Sequence, residues 1–218
     1  MVEAGDEDVS EAERIASGAD RRREAWGATL EEMDALADEF EADGWRTLRI
    51  AAGDCGPFGP SAEAESEDGD GDENENENEG DGEAFGLAYV VPGDDAEEVS
   101  ELFERASFPE YEVYRAENDG LMYTVTALFA PDIETAVFVA GAWELRNALG
   151  CATAAAETGL MYTRLQKLDG TVVGVVEHEE PEKFFPDLDA VRRHASGADA
   201  ADVGASDDAT GGAGDASE

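Results

Sequence analysis

The stretch Asn118-Asp119-Gly120-Leu121-Met122-Tyr123-Thr124-Val125-Thr126-Ala127-Leu128-Phe129 decides the fold class. Asn-Asp-Gly is a tight-turn signal, because its last residues tolerate the left-handed backbone that two-residue hairpins demand. The nine residues that follow are almost wholly apolar and rich in β-branched and aromatic types, so they predict a central strand. On the other side of the turn, Tyr111, Val113 and Arg115 alternate with Glu112, Tyr114 and Ala116, the period of a half-exposed strand. A hairpin with one central arm means a sheet.

Helical patterns surround it. Trp26, Leu30, Met33, Ala37 and Phe40 recur at steps of three and four, giving one apolar stripe between an Asp20 cap and Gly44. Burying that stripe contributes on the order of 5–10 kcal/mol as an upper bound, so the helix must dock on a partner. Ala96, Val99, Leu102, Phe103 and Ala106 form a second stripe, with Asp95 and Glu98 at capping-box spacing and Pro109 as the stop. A third helix is expected from Pro131-Asp132 to about Leu149, apolar around most of its circumference.

Trp45–Ala52 and Ala84–Val91 read as further strands, Leu160–Leu168 and Thr171–Val176 as a pair joined by Asp169-Gly170, and Ala152–Glu157 as a short strand. The expected fold is α+β, with six or seven mainly antiparallel strands in one sheet and about three helices, mostly on one face. The order strand–strand–helix recurs, and Leu-Met-Tyr-Thr appears at 121–124 and again at 160–163. Both point to a duplicated ββα unit.

Between the strands ending near Ala52 and starting at Ala84 lies low-complexity sequence. Ser61–Glu83 holds twelve acids and no base, so no core can form from it. We expect residues 56–83 to be a disordered acidic hairpin loop, because lengthening a loop from about 4 to about 30 residues costs only about 2 kcal/mol of closure entropy. Residues 1–19 are expected to be a flexible N-terminus, 20–190 a single domain, and 195–218 a disordered acidic tail.

The charge is extreme. The 218 residues contain 55 Asp and Glu against 14 Lys and Arg, a net charge of −41, over a composition that is 42% hydrophobic. The acid is not confined to tails: residues 84–190 alone hold 21 acids and 6 bases. Only two of the basic residues, Lys167 and Lys183, are lysines. Such a surface over an ordinary core fits a protein soluble in molar potassium, where a Debye length of roughly 3 Å screens its self-repulsion. No basic patch with interleaved aromatics offers a nucleic-acid surface, and the Arg21-Arg22-Arg23 cluster reads as a solvated helix face. No apolar run reaches the ~20 residues a membrane span needs. The acidic start has no signal-peptide character, so a soluble cytoplasmic location is expected.

Candidate chemistry is sparse. No phosphate loop, dinucleotide fingerprint, nucleophile elbow or zinc spacing is present, and no cofactor is expected. Glu177, His178 and Glu179 are the best metal-like cluster, because imidazole with carboxylates suits Zn²⁺ or Mn²⁺, although a chain one-quarter acidic sets carboxylates beside any histidine. Cys55 and Cys151 do not make a disulfide scaffold. Either thiol could pair with His178 or His194 as nucleophile and base. Cys55 is the better candidate, since Gly53–Pro60 reads as an exposed run of turn formers. Tyr111, Tyr114, Tyr123 and Tyr162 read as cross-strand packing, with a ligand-lining stripe as the alternative.

Several segments carry a resemblance: Asp43-Gly44-Trp45, Ile50–Asp54, Phe85–Pro92, Phe108–Ala116, Met161-Tyr162-Thr163, Leu168–Thr171 and Glu177–Pro186. They resemble a haloarchaeal family of small acidic proteins that is a domain of unknown function. The resemblance spans about 26–186 outside the acidic loop and implies a salt-adapted cytoplasmic protein, with no activity, cofactor or catalytic residue attached. The sequence therefore points to a non-catalytic binding or protein-interaction module, self-associating or with an unknown protein partner. The alternative is a small-molecule or metal-dependent enzyme using His178 and nearby carboxylates or Cys55.

Overall fold

The computed structural model describes residues 6–59 and 84–196, with side chains from residue 16 onward. Its elements run α1 (Asp6–Ala42), β1 (Arg46–Ala51), β2 (Asp54–Phe58), β3 (Gly86–Val90), α2 (Gly93–Arg105), β4 (Glu110–Asn118), β5 (Leu121–Ala130), β6 (Thr135–Glu144), α3 (Leu149–Thr158), β7 (Met161–Gln166), β8 (Val172–His178) and α4 (Leu188–Ala195). The fold is α+β. The strands form two four-stranded sheets rather than one: sheet A in the order β1-β6-β5-β4, and sheet B in the order β2-β3-β7-β8. Both are mixed. β1 runs parallel to β6 and β3 parallel to β7, while every other described pairing is antiparallel.

The β4–β5 hairpin forms as expected, with positive φ at Asp119 and Gly120. β5 is buried along nearly its whole length. The segment after it corrects the expectation most sharply: residues 135–144 are a strand, not a helix. Val137, Val139 and Trp143 enter the core between the sheets, whereas Ala136, Phe138 and Ala140 enter the layer under α1. A strand covered on both faces loses its polar alternation, and its continuous apolar run then looks like a helix buried all round. Because this segment is not helical, Arg146 also reaches Glu144 at 2.6 Å, a pairing that an α-helix would forbid at that spacing.

The converse error falls on Ala152–Glu157, which is helix α3 rather than a strand. Its run of alanines favours the helix on propensity alone. Without a helix after β5, the duplicated ββα unit does not exist. The two Leu-Met-Tyr-Thr copies do each follow a positive-φ glycine, Gly120 and Gly159. One closes a hairpin and the other caps a helix, and the strands they open lie in different sheets. Smaller shifts occur at element ends. α1 extends back to Asp6, leaving Asp20 inside it. α2 starts at Gly93 after Pro92, with no side-chain cap from Asp95.

α1 docks as its stripe requires. Met33 and Ala37 bury against Val125, Ala127, Phe129, Ala136, Phe138 and Ala140, flanked by Trp26, Leu30 and Phe40. Phe40 stacks on Phe129 at 4.9 Å and meets Trp45 edge-on at 5.4 Å. Arg49 of β1 reaches back to Asp38 and Glu41 of the helix at 2.7 and 2.8 Å. α2, α3 and α4 contribute Val99, Leu102, Cys151, Ala155 and Val191 to the other core, between the sheets.

The sheets join at a corner and touch through a polar seam. Ala52 N–H donates to Ala140 of sheet A, and the next residue, Gly53, donates to Val90 of sheet B, both at 2.9 Å. The Gly53–Pro60 run is therefore no exposed loop; most of it is strand β2, paired with β3. The insertion does lie within a hairpin, but one formed by β2 and β3, where Phe58 pairs with Gly86, and not by the 45–52 strand, which pairs with β6 in the other sheet. Of the segments expected to be disordered, 56–58 belong to β2 and Ala195 to α4, while 60–83 and 197–218 lie outside the described residues.

Within the seam the Tyr89 hydroxyl meets Thr126 and Thr124 at 3.0 and 3.2 Å. Opposite, a side chain at Gly141 would stand 2.6 Å from the Tyr89 ring and 2.9 Å from Cys55 Cβ. Replacing Gly141 with Ala should lower stability by about 1–3 kcal/mol, the usual range for overpacking, read as a shifted urea midpoint. An unchanged midpoint would mean the sheets are less closely packed here than described.

Candidate functional site

Strand alternation scatters the metal-like cluster. At the end of β8, His178 turns inward and is fully buried. Its Nε2 lies 2.8 Å from Thr163 Oγ1, and its ring sits between Tyr111 at 4.2 Å and Phe184 at 4.7 Å. Its Nδ1 is buried with no hydrogen-bond partner. Burial, with the nearby Lys183 charge, pushes the imidazole down to about 3, so it is neutral at physiological pH. Glu177 points to the opposite face, where it accepts from the Tyr162 hydroxyl at 2.8 Å. Glu179 is exposed beyond the strand. Among the described residues no three His, Cys, Asp or Glu side chains come together as a metal site.

The thiols are equally withdrawn. Cys55 lies on β2, buried between the sheets rather than in an exposed loop. Burial, reinforced by the Asp54 charge, raises its pKa far above the ordinary thiol range. Cys151 is pushed up to about 12 by burial and donates to the Gly86 carbonyl at 3.4 Å. Neither is a thiolate at neutral pH. The nearest imidazole contacts go elsewhere, His178 to Thr163 and His194 to Glu117 at 3.2 Å. The tyrosines form no single stripe. Tyr111 packs inward on His178, Tyr114 and Tyr123 line a groove beside α1, and Tyr162 is on the outside of sheet B.

Among the concave features of the described residues, two lie beside the tyrosines and the acidic cluster. The groove between α1 and β4, about 450 Å³, is floored by Ala25, Ala28, Tyr123 and Val125. The Thr29 and Tyr123 hydroxyls in its wall already donate to α1 carbonyls. A cleft of about 540 Å³ is edged by Glu110, Glu112, Glu177, Glu179 and Glu180. Lys183 occupies it, 2.8 Å from Glu180 and 4.7 Å above the Tyr111 ring. Neither collects the convergent polar groups of a small-molecule site.

The outer face of sheet B is the surface that stands out. All three helices between β3 and the end of the chain's described part bury their residues on the inner side. On the outer side, Ala88, Arg164 and Val175 lie in one cross-strand row. Val175 is 50% exposed and Val172 40%. The Arg164 guanidinium lies 4.1 Å above the Phe58 ring. Sequence reading missed this face because Val172–Val176 looks like a strand buried on both sides. The usable signal was the alternation Tyr162, Arg164, Gln166 on the partner strand.

Compared with known families, residues 12–186 match the model of the family of unknown function DUF7529. The chain belongs to the DUF7529 family. The match begins within α1 and ends just past Phe185, so it takes in both sheets and α2 and α3 but stops short of α4. No curated protein and no solved structure matches the chain. Among the described residues no helix is long and apolar enough to cross a membrane.

Proposed function

We propose that this DUF7529 member is a salt-adapted cytoplasmic protein acting as a non-catalytic interaction module, with the outer face of sheet B as its contact surface. One observation carries the reading: in a chain of net charge −41, a four-stranded sheet leaves a face with exposed valines and no described helix across it. Exposed apolar side chains on an uncovered sheet face are the kind of surface that interaction sites use. The groups best suited to chemistry, Cys55, Cys151 and His178, are meanwhile turned inward, which argues against the enzymatic alternative.

The test is affinity capture from a lysate kept in molar KCl, comparing the wild type with Val175→Glu. Proteins retained by the first and lost by the second support the reading; identical recoveries would contradict it. A thiol reagent applied to the native protein separates the alternative. Protection of both cysteines for hours is expected, whereas rapid labelling of Cys55 would revive a nucleophilic role.

A further inference from the structure

We infer that β4 is a peptide-docking edge: an extended segment of a partner protein adds to sheet A beside it, with apolar side chains entering the groove along α1 and one carboxylate meeting Arg115. This surface is separate from the outer face of sheet B and does not depend on it. The backbone dictates the kind of occupant. β4 ends sheet A. Asp119 and Gly120, both at positive φ, make a two-residue turn, so the flanking pair Asn118 and Leu121 exchanges hydrogen bonds and the pattern alternates from there. Ala116 and Tyr114 therefore bond inward to Tyr123 and Val125, while the N–H and C=O groups of Val113, Arg115 and Glu117 face out. Among the described residues no backbone group meets them. Such a row of donors and acceptors is matched by another strand.

Edge strands are commonly blunted by brevity, proline or a bulge. β1 has six residues, β2 carries Pro57, and the register of β8 against β7 shifts between Leu165 and Gln166. β4 runs nine residues with no proline and no break in register. Glu180 N–H holds the Tyr111 hydroxyl at 2.9 Å, so the open length begins at Val113. The three acids of β4, Glu110, Glu112 and Glu117, against its one base disfavour a second copy of the same strand.

Side chains set which strand is taken. Ala25 and Ala28 are too small to close α1 onto β4, which leaves the groove open along Tyr114–Asn118, room for a strand of about five residues. Its Thr29 and Tyr123 hydroxyls are already bonded to α1, so what it offers a ligand is apolar surface. Glu32 in its wall turns acids away. Arg115 lies on the other face of the strand, across from Thr124. Among the described residues its guanidinium has no carboxylate partner, in a chain that holds 55 acids. Burial alone acts on it, lowering its pKa with no nearby charge to counter that. The neighbouring Glu117 is taken by His194 at 3.2 Å. The fitting segment therefore alternates, apolar toward α1 and with an acid across from Arg115.

The probe is a displayed library of random peptides, about twelve residues long, selected on the full chain in about 1 M KCl. Enriched sequences should carry one Asp or Glu flanked by apolar residues. N-methylation of an enriched peptide at alternate residues should abolish binding in one set and spare it in the other, because only one set of N–H groups faces β4. Arg115→Glu should weaken binding by about threefold or more, and a peptide with Lys in place of its acid should recover it. Val175→Glu should change nothing. If Arg115→Glu fails to fold, the N-methyl series on the wild type decides alone. No enrichment, or binding indifferent to the position of N-methylation, overturns the proposal, as does a folded Arg115→Glu that binds like the wild type. Peptides lost from Val175→Glu and kept by Arg115→Glu overturn it too, and support sheet B as the contact surface instead.

Discussion

Dialysed from about 3 M to about 0.05 M KCl, the protein is expected to lose its fold in a cooperative transition that far-UV circular dichroism will follow. Two electrostatic effects oppose each other in that experiment. Removing salt strengthens the ion pairs, such as Arg49 with Asp38 and Glu41. Those are exposed on the carboxylate side, and pairs of that kind contribute about 0–1 kcal/mol each. Removing salt also lengthens the range of repulsion from roughly 3 Å at 1 M to about 10 Å at 0.1 M, so that each unpaired carboxylate feels many others. With 55 acids and 14 bases, repulsion outnumbers attraction and wins. A spectrum unaltered across the whole range would show that the acidic surface is incidental to stability.

The second large effect comes from His178. Its folded-state pKa is about 3, against 6.5 for the free side chain, because charging the ring would place an ion between Tyr111 and Phe184. The unfolded chain therefore binds the extra proton first, and stability falls as pH drops through 6.5 toward 3. Between pH 7 and pH 4 the loss is about 3 kcal/mol. Carboxylates titrate in the same window with the opposite tendency, since neutralising them relieves repulsion. The clean measurement is therefore a difference: urea melts of the wild type and His178→Gln at each pH, in constant KCl. The stability advantage of the wild type should shrink by about that amount on going to pH 4. A constant gap between the two would mean the imidazole is not held neutral by its surroundings.

The hairpins, the first helix face and the α+β class were legible because local chemistry specifies them. Asn118-Asp119-Gly120 and Asp169-Gly170 name their turns without reference to the rest of the chain, and Gly170 does adopt positive φ. Trp26, Leu30 and Met33 declare a stripe that only a helix can present. β6 was misread because its apolar continuity is a property of what covers it, α1 on one side and sheet B on the other. The division into two sheets was hidden for a related reason. It turns on Ala52-Gly53, two residues whose backbone bonds go to different partners, and on two parallel pairings between strands far apart in sequence. The metal-like cluster failed on alternation alone, since Glu177 and His178 are neighbours in sequence and opposites in space.

That corner at Ala52-Gly53 has a mechanical consequence. The two layers are bound there like pages at a spine, by backbone bonds that no side-chain titration can loosen. On the far margin they are held shut by rings, Tyr111 of β4 against His178 of β8. Acid therefore attacks the fore-edge and spares the binding, and the molecule should gape on one side before it comes apart.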